Sequence, residues 1–312
     1  MKRKVLSNMA ASVRQRLLNY AHQSGDEFQR VLDRYGVERF LFRLGQSPYA
    51  DKIVLKGAML FLKWAGELYR PTKDVDFLSF GSDDLEQAEL FIREICSIPV
   101  EDDGVEFLPG TVLAELIREE QEYGGTRVTF QAKLGSARIH LRVDIGYGDA
   151  VTPEPVVEKF PTLLDMPAPV LRMYPAEAVI AEKYQTLVDL GMTNSRMKDF
   201  YDLWTLARDF AFDGSKLASA ITSTFKRRQT PIPEKEPVAL SDEFIRDDLK
   251  RTQWRAFLRK GPFKVTEDDL GKVINALREF LMPPSRALNK VKDFAGSWPP
   301  GGPWRKKSED ES

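Results

Sequence analysis

Two neighbouring stretches hold the residue types best suited to chemistry: Lys56-Gly57-Ala58, then Arg70-Pro71-Thr72-Lys73-Asp74-Val75-Asp76-Phe77. A strand sends alternate side chains to opposite faces. Asp74 and Asp76 therefore leave the same face, with Cα atoms about 6.5–7 Å apart. Two carboxylates held side by side repel each other and call for a cation, and a divalent metal carrying nucleotide phosphates meets that need. A glycine just upstream lets the backbone approach such phosphates closely. The alternative is an ordinary turn-to-strand junction with solvated carboxylates.

Other residues extend the pattern. Ile139, Leu141, Val143 and Ile145 alternate with Arg138, His140, Arg142 and Asp144, which reads as a strand with one core face and one polar face. Asp144 closes the polar row and is a candidate third carboxylate for a metal; it could equally pair with Arg142 or Arg138. Lys183 interrupts an apolar helical stripe of Ala176, Val179, Ile180, Leu187 and Leu190. A lysine there snorkels, pairs with a buried acid, or meets a phosphate. Asp199 shares a stripe with Leu203, Leu206 and Phe210 and wants a cation, which Lys183 or Arg196 could supply. Lys198 and Asp202, four apart, fit an exposed charge lattice. Thr72 either touches phosphate or caps a turn, and Arg70 either binds phosphate or lies on the surface.

The elements that position these residues can be sketched from periodicity. Helices are expected over about 8–22, from about Asp26, with Tyr35–Leu44 either continuing it or forming a third, and over Ala58–Trp64. A further helix opened by Asp83 and Glu86 runs to Cys96. Strands are expected at Ile53–Leu55, Asp74–Phe80, Val105–Leu108, Thr126–Phe130 and Ala137–Ile145. Val151–Pro169 reads as a proline-rich connector. Helices follow at Pro175–Leu190, stopped by Gly191, and at Ser195–Phe210. The expected class is α+β, a mixed sheet flanked by helices. The division is N-terminal helices over 1–50, a core over 51–165, a helical region over 166–290, and a disordered proline-rich, charged tail over 291–312.

The 312 residues carry a net charge of −1, which argues against a globally basic nucleic-acid coat but leaves room for a local basic surface. Lys226-Arg227-Arg228, the stretch Lys250-Arg251 to Arg259-Lys260, and Arg305-Lys306-Lys307 are candidates for one. One cysteine, Cys96, excludes an internal disulfide, and two histidines with it make a zinc site implausible. No long apolar run suggests a membrane span, and Arg14 and Arg16 interrupt any signal-peptide core, so a cytoplasmic protein is expected.

Taken in order, these blocks resemble the AbiEii/AbiGii-type nucleotidyltransferase toxins, whose fold is that of the DNA polymerase β-like nucleotidyltransferases. The resemblance runs from Glu38-Arg39-Phe40-Leu41-Phe42-Arg43-Leu44 through Lys56-Gly57-Ala58 and Arg70–Phe77. It continues through Val143-Asp144-Ile145-Gly146-Tyr147-Gly148-Asp149 and Glu177–Lys183 to Arg196-Met197-Lys198-Asp199-Phe200-Tyr201-Asp202-Leu203. It departs at Ala58, where the family pattern has a second glycine. The resemblance implies Asp74, Asp76 and Asp144 as ligands to two Mg²⁺ ions, and Asp74, Asp76, Lys183 and Asp199 as catalytic residues. It implies a nucleotide contact at Lys183, with Lys56, Gly57, Ala58, Arg70, Thr72 and Arg196 around the nucleotide. It further implies an NTP substrate, a tRNA 3′ end as acceptor, and a cognate antitoxin partner. A small-molecule nucleotidyltransferase and a catalytically silent nucleotide-binding regulator are the alternatives.

Overall fold

A computed structural model describes residues 8–81, 83–117, 125–148, 151–290 and 292–306. The chain divides into two compact units. The first comprises Met1–Glu67, Thr72–Gly148 and Val156–Met173; the second comprises Leu68–Pro71, Asp149–Pro155 and Tyr174–Ser312.

The first unit opens with α1 (Met9–Ser24), capped by the Asn8 side chain on Ala11 N–H. A single helix, α2 (Phe28–Gly45), then takes up the whole apolar run to Leu44. β1 (Ile53–Lys56), α3 (Leu60–Ala65), β2 (Asp74–Ser79) and α4 (Leu85–Cys96) follow. The cap of α4 is Asp84, which accepts from Gln87 N–H, one residue beyond the expected Asp83. β3 (Val105–Ile117), β4 (Gly125–Leu134), β5 (Ala137–Tyr147), β6 (Val156–Lys159) and β7 (Val170–Met173) complete the unit.

These strands form one mixed sheet in the order β3-β4-β5-β2-β1-β7-β6. β2 pairs with β5, and β1 with β7, in parallel; the other pairs are antiparallel. The stretch read as a connector thus supplies edge strand β6, whose four residues are too short and too exposed to show a period. α2 and α4 cover one face of the sheet, where Phe40, Phe107 and Phe130 meet. On β5, Ile139, Leu141, Val143 and Ile145 are buried while Arg138, His140 and Arg142 are exposed, as alternation requires.

The Glu38–Leu44 block is scaffolding. Glu38 is fully buried, paired with Arg34 at 3.1 Å and accepting Leu163 N–H. Arg43 grips Asp103 through two hydrogen bonds of 2.7 and 3.2 Å. Arg39 donates to the Pro167 carbonyl and lies against the Tyr35 and Phe42 rings. Buried cations of this kind persist because each finds an acid, a carbonyl or an aromatic face.

The second unit is mainly helical: α5 (Ala176–Leu190), α6 (Met197–Asp209), the short strand β8 (Phe212–Asp213), α7 (Gly214–Arg227), α8 (Asp242–Arg246), α9 (Asp248–Leu258) and α10 (Leu270–Asn289). Gly191 closes α5 at a φ of 47°, the backbone state glycine tolerates best. The expectation of a disordered tail is overturned for residues 292–306. Strands β9 (Gly296–Trp298) and β10 (Arg305–Lys306) join β8 in a three-stranded sheet. Trp298 is 3% exposed and donates to the Ala207 carbonyl at 2.6 Å. Trp304 stacks on Phe280 with centroids 5.8 Å apart. Two tryptophans bury enough apolar surface to outweigh the polar composition around them. Residue 291 and residues 307–312, including Lys307, lie outside the described residues, as does Asp149. Among the described residues no helix is long and apolar enough to cross a membrane.

Replacing Trp298 with alanine is expected to destabilise the second unit by about 3–5 kcal/mol, through lost burial and an unfilled cavity. Chemical denaturation followed by tryptophan fluorescence and circular dichroism measures it; an unchanged midpoint would show the tail to be dispensable.

Candidate active site

Strand register brings the sheet's charged residues into rows. Lys56 on β1 stands opposite Asp76 on β2, Asp76 beside Asp144 on β5, and Asp144 opposite Arg127 on β4. The next row carries Asp74, Arg142 and Thr129. Register partners share a sheet face, so all of these project from the face opposite the apolar core.

The three expected carboxylates are therefore neighbours, but they do not share a coordination sphere. Arg127 donates to both Asp144 oxygens, at 2.9 and 2.8 Å. Arg142 approaches Asp74 Oδ1 to 3.2 Å. Asp74 Oδ1 is shut off from solvent, and its contact with Arg142 is an ion pair rather than a well-directed hydrogen bond. Among the described residues no three acid, imidazole or thiol groups stand close enough together to hold a metal ion. With no cation between them, two of the three expected ligands turn to the nearest arginines, as like charges do. A hard divalent cation wants oxygen donors, and the carboxylates of Asp74 and Asp76 fit that demand. Asp144 fits only once Arg127 withdraws.

Gly57 has a role beyond open space. Its φ is 77°, and a Cβ there would fall 1.9 Å from Asp76 Oδ2. The glycine is what allows the Asp76 carboxylate to lie against the turn. Ala58, by contrast, is buried, so its methyl group packs into the core. Thr72 turns its hydroxyl to the Asp74 carbonyl at 3.4 Å, the turn-capping alternative. Lys56 is half-buried at the end of β1, and its Nζ lies 3.8 Å from where a Cβ on Gly146 would stand.

The second unit has its own charge cluster. Lys183 bonds Asp199 Oδ1 at 2.5 Å and Asp202 Oδ2 at 2.9 Å. Arg196 takes the other Asp199 oxygen at 2.7 Å. Arg70 grips both Asp202 oxygens at 2.7 and 2.8 Å. Asp199 and Asp202 are almost fully buried. Three sequence expectations change. Of the readings open for Lys183, the structure displays the buried ion pair. Arg70 is a bidentate partner, not a surface arginine. Asp202 is a core acid, and Lys198 is left exposed. Both Asp199 oxygens are bonded to cations, which suits an anchor better than a proton-transfer group. The expectation that Lys183 or Arg196 would serve Asp199 is met by both.

Burial alone would raise the Asp199 carboxyl, but Lys183 and Arg196 overcome it and hold it well below the usual carboxylate range. Asp202 is likewise lowered, with Arg70 and Lys183 outweighing burial. Lys183 is raised, because the two aspartates outweigh the burial that would lower it. Arg127 is the residue sequence reasoning missed, while Asp202 was read as part of an exposed charge lattice and is buried. Nothing local marks Arg127, whose partner is set by cross-strand register.

Comparison with known proteins follows the same lines. The family model described as "Nucleotidyl transferase AbiEii toxin, Type IV TA system" matches residues 39–281. The chain belongs to this AbiEii family. It is accordingly a nucleotidyltransferase of the toxin–antitoxin type, and the matched span takes in both charge clusters. Among solved structures, JHP933 from Helicobacter pylori is 18% identical with a TM-score of 0.48, over 85% of this chain and 98% of its own. A second H. pylori protein, proposed to be a nucleotidyltransferase, is 17% identical with a TM-score of 0.45, over 82% of this chain and 94% of its own. No curated protein matches the chain.

Two predictions follow from these geometries. Gly57→Ala is expected to cost about 1–2 kcal/mol from its left-handed backbone and to push Asp76 aside, lowering nucleotide transfer more than stability; thermal melts and label transfer on one preparation separate the two. The second concerns acid. Lowered aspartate values mean that the cluster stabilises fully above the ordinary carboxylate range of about 4 and progressively less as pH falls below it. Wild type should therefore lose melting temperature steeply below about pH 4. Asp199→Asn and Asp202→Asn should start lower at pH 7 and show a shallower acid slope; parallel curves would refute the assignment.

Proposed function

We propose that this AbiEii nucleotidyltransferase moves a nucleotide from an NTP to an RNA 3′ end, tRNA being the expected acceptor, with divalent metal held at Asp74 and Asp76. The observation that carries the reading is the pair of aspartates on one face of β2, with Asp76 set against the Gly57 turn, where a Cβ would fall 1.9 Å from its Oδ2. When bound, the metal supplies the positive charge that offsets the triphosphate and favours pyrophosphate departure. Asp74 and Asp76 hold it and orient the triphosphate beside β2. Lys56, half-buried opposite Asp76, adds a point charge for phosphate. Thr72 and Gly57 shape the turns on either side of the strand.

In the second unit, Lys183, Arg70 and Arg196 pair with the buried Asp199 and Asp202. Arg196, 33% exposed, is the member most open to a phosphate. Along and just past α9, Arg251, Arg255 and Arg259 are exposed at four-residue spacing, about 6 Å per step, which suits the phosphates of an RNA acceptor. As a toxin–antitoxin protein, it is expected to be neutralised by a cognate antitoxin.

The test is incubation with each α-labelled NTP, Mg²⁺ and total RNA, followed by gel analysis. Labelled RNA of tRNA size is expected, and Asp74→Ala should lower labelling at least 100-fold while its circular dichroism spectrum is unchanged. Label moving only to small alcohols would favour a small-molecule enzyme; metal-dependent nucleotide binding without transfer would favour a regulator.

A further inference from the structure

The acids of the polar sheet face stand beside the chain's own cations. Asp74, Asp76 and Asp144 adjoin Lys56, Arg127 and Arg142 in register, and Glu115 on β3 stands opposite Arg127 on its other side. The Arg127–Asp144 contact is the strongest of these in form: two hydrogen bonds below 3 Å, side chains 30% and 18% exposed, on directly opposed positions of an antiparallel pair. A planar guanidinium facing a carboxylate edge-on is a geometry that lysine cannot copy. Asp144 stands beside Asp76, so the acid best placed to join Asp74 and Asp76 around a cation is the one already held.

We infer that Arg127 is a positioning residue: it occupies Asp144 as a resident counter-cation, and it exchanges that carboxylate for the triphosphate when divalent cation and nucleotide arrive together. The inference rests on the metal reading of Asp74 and Asp76. Its physical basis is competition. A cation reaching for Asp144 must break a charge-assisted bidentate pair, so the pair weakens metal binding in the absence of nucleotide. Once displaced, Arg127 loses its bidentate partner and keeps only the weaker fields of Glu115, opposite it on β3, and of Asp74; for a partly buried cation that costs free energy until an anion takes the place of Asp144. A triphosphate is such an anion. Arg127 thereby makes metal and nucleotide bind more tightly together than separately, a coupling that is reciprocal by thermodynamic necessity. No covalent bond is made or broken in the exchange; hydrogen bonds and ion-pair partners change.

The experiment titrates Mn²⁺, read by its free-ion electron paramagnetic resonance signal, into the full-length protein with and without a non-hydrolysable NTP analogue. Wild type, Arg127→Met, Arg127→Lys and Asp76→Asn are compared, and circular dichroism melts confirm that each is folded. Arg127→Met is expected to bind Mn²⁺ about tenfold more tightly than wild type without nucleotide, and to lose most of the nucleotide-induced tightening. Arg127→Lys should fall between them. Should Arg127→Met bind Mn²⁺ no more tightly than wild type, or keep the full nucleotide effect, while Asp76→Asn binds it poorly, the exchange is overturned and the metal site stands. If Asp76→Asn binds Mn²⁺ as well as wild type does, the metal reading itself fails and the exchange falls with it.

Discussion

Everything chemical in the first unit depends on how three carboxylates are kept from repelling one another on one sheet face. Asp74, Asp76 and Asp144 are placed there by strand alternation and by the parallel pairing of β2 with β5. Nothing in the core compels acids at these positions. The fold accommodates them by setting Lys56, Arg127 and Arg142 in flanking register positions. Within the chain, Asp74 is thereby answered by Arg142 and Asp144 by Arg127. A face whose acids meet its own cations and a face ready for metal differ only in where a few side chains point.

The second unit solves the same problem by burial. Asp199 and Asp202 sit one helical turn apart on α6, and Lys183 from α5 lies between them. Arg196 and Arg70 complete the set, one from the entry to α6 and the other from far upstream in the chain. A buried carboxylate is tolerated only when its oxygens are answered; here all four are. The segment Leu68–Pro71 belongs to this unit, and the Arg70–Asp202 fork is one reason. Tyr201 is another, since its hydroxyl donates to the Tyr69 carbonyl at 2.9 Å. The AbiEii blocks at Arg70 and at Arg196–Leu203 are thus two halves of one ion-pair cluster.

Much of the fold was legible because its signals are local. The alternation of β5, the apolar stripe of α5 with its Gly191 stop, and the Gly57 turn before an acidic strand are all matters of spacing, and the structure reproduces them. The elements that were not legible share a cause. β6 is a four-residue edge strand with no period to read. The 292–306 segment is proline-rich and charged, and is ordered by two tryptophans whose partners, Ala207 and Phe280, lie far away in the chain. Arg70 looked like surface because the residue that buries it, Asp202, is remote in sequence.

The sequence by itself determined which residues could serve a phosphoryl-transfer site and which face of each element they occupy, because side-chain direction follows from the two-residue and 3.6-residue periods. It also determined family membership, since several motif blocks stand in one order. Tertiary structure alone decided the partners. Whether Asp144 meets a metal or Arg127, and whether Lys183 meets a phosphate or two aspartates, depends on strand register and helix packing. Those are set by contacts between residues far apart in the chain, and short-range periodicity carries no record of them.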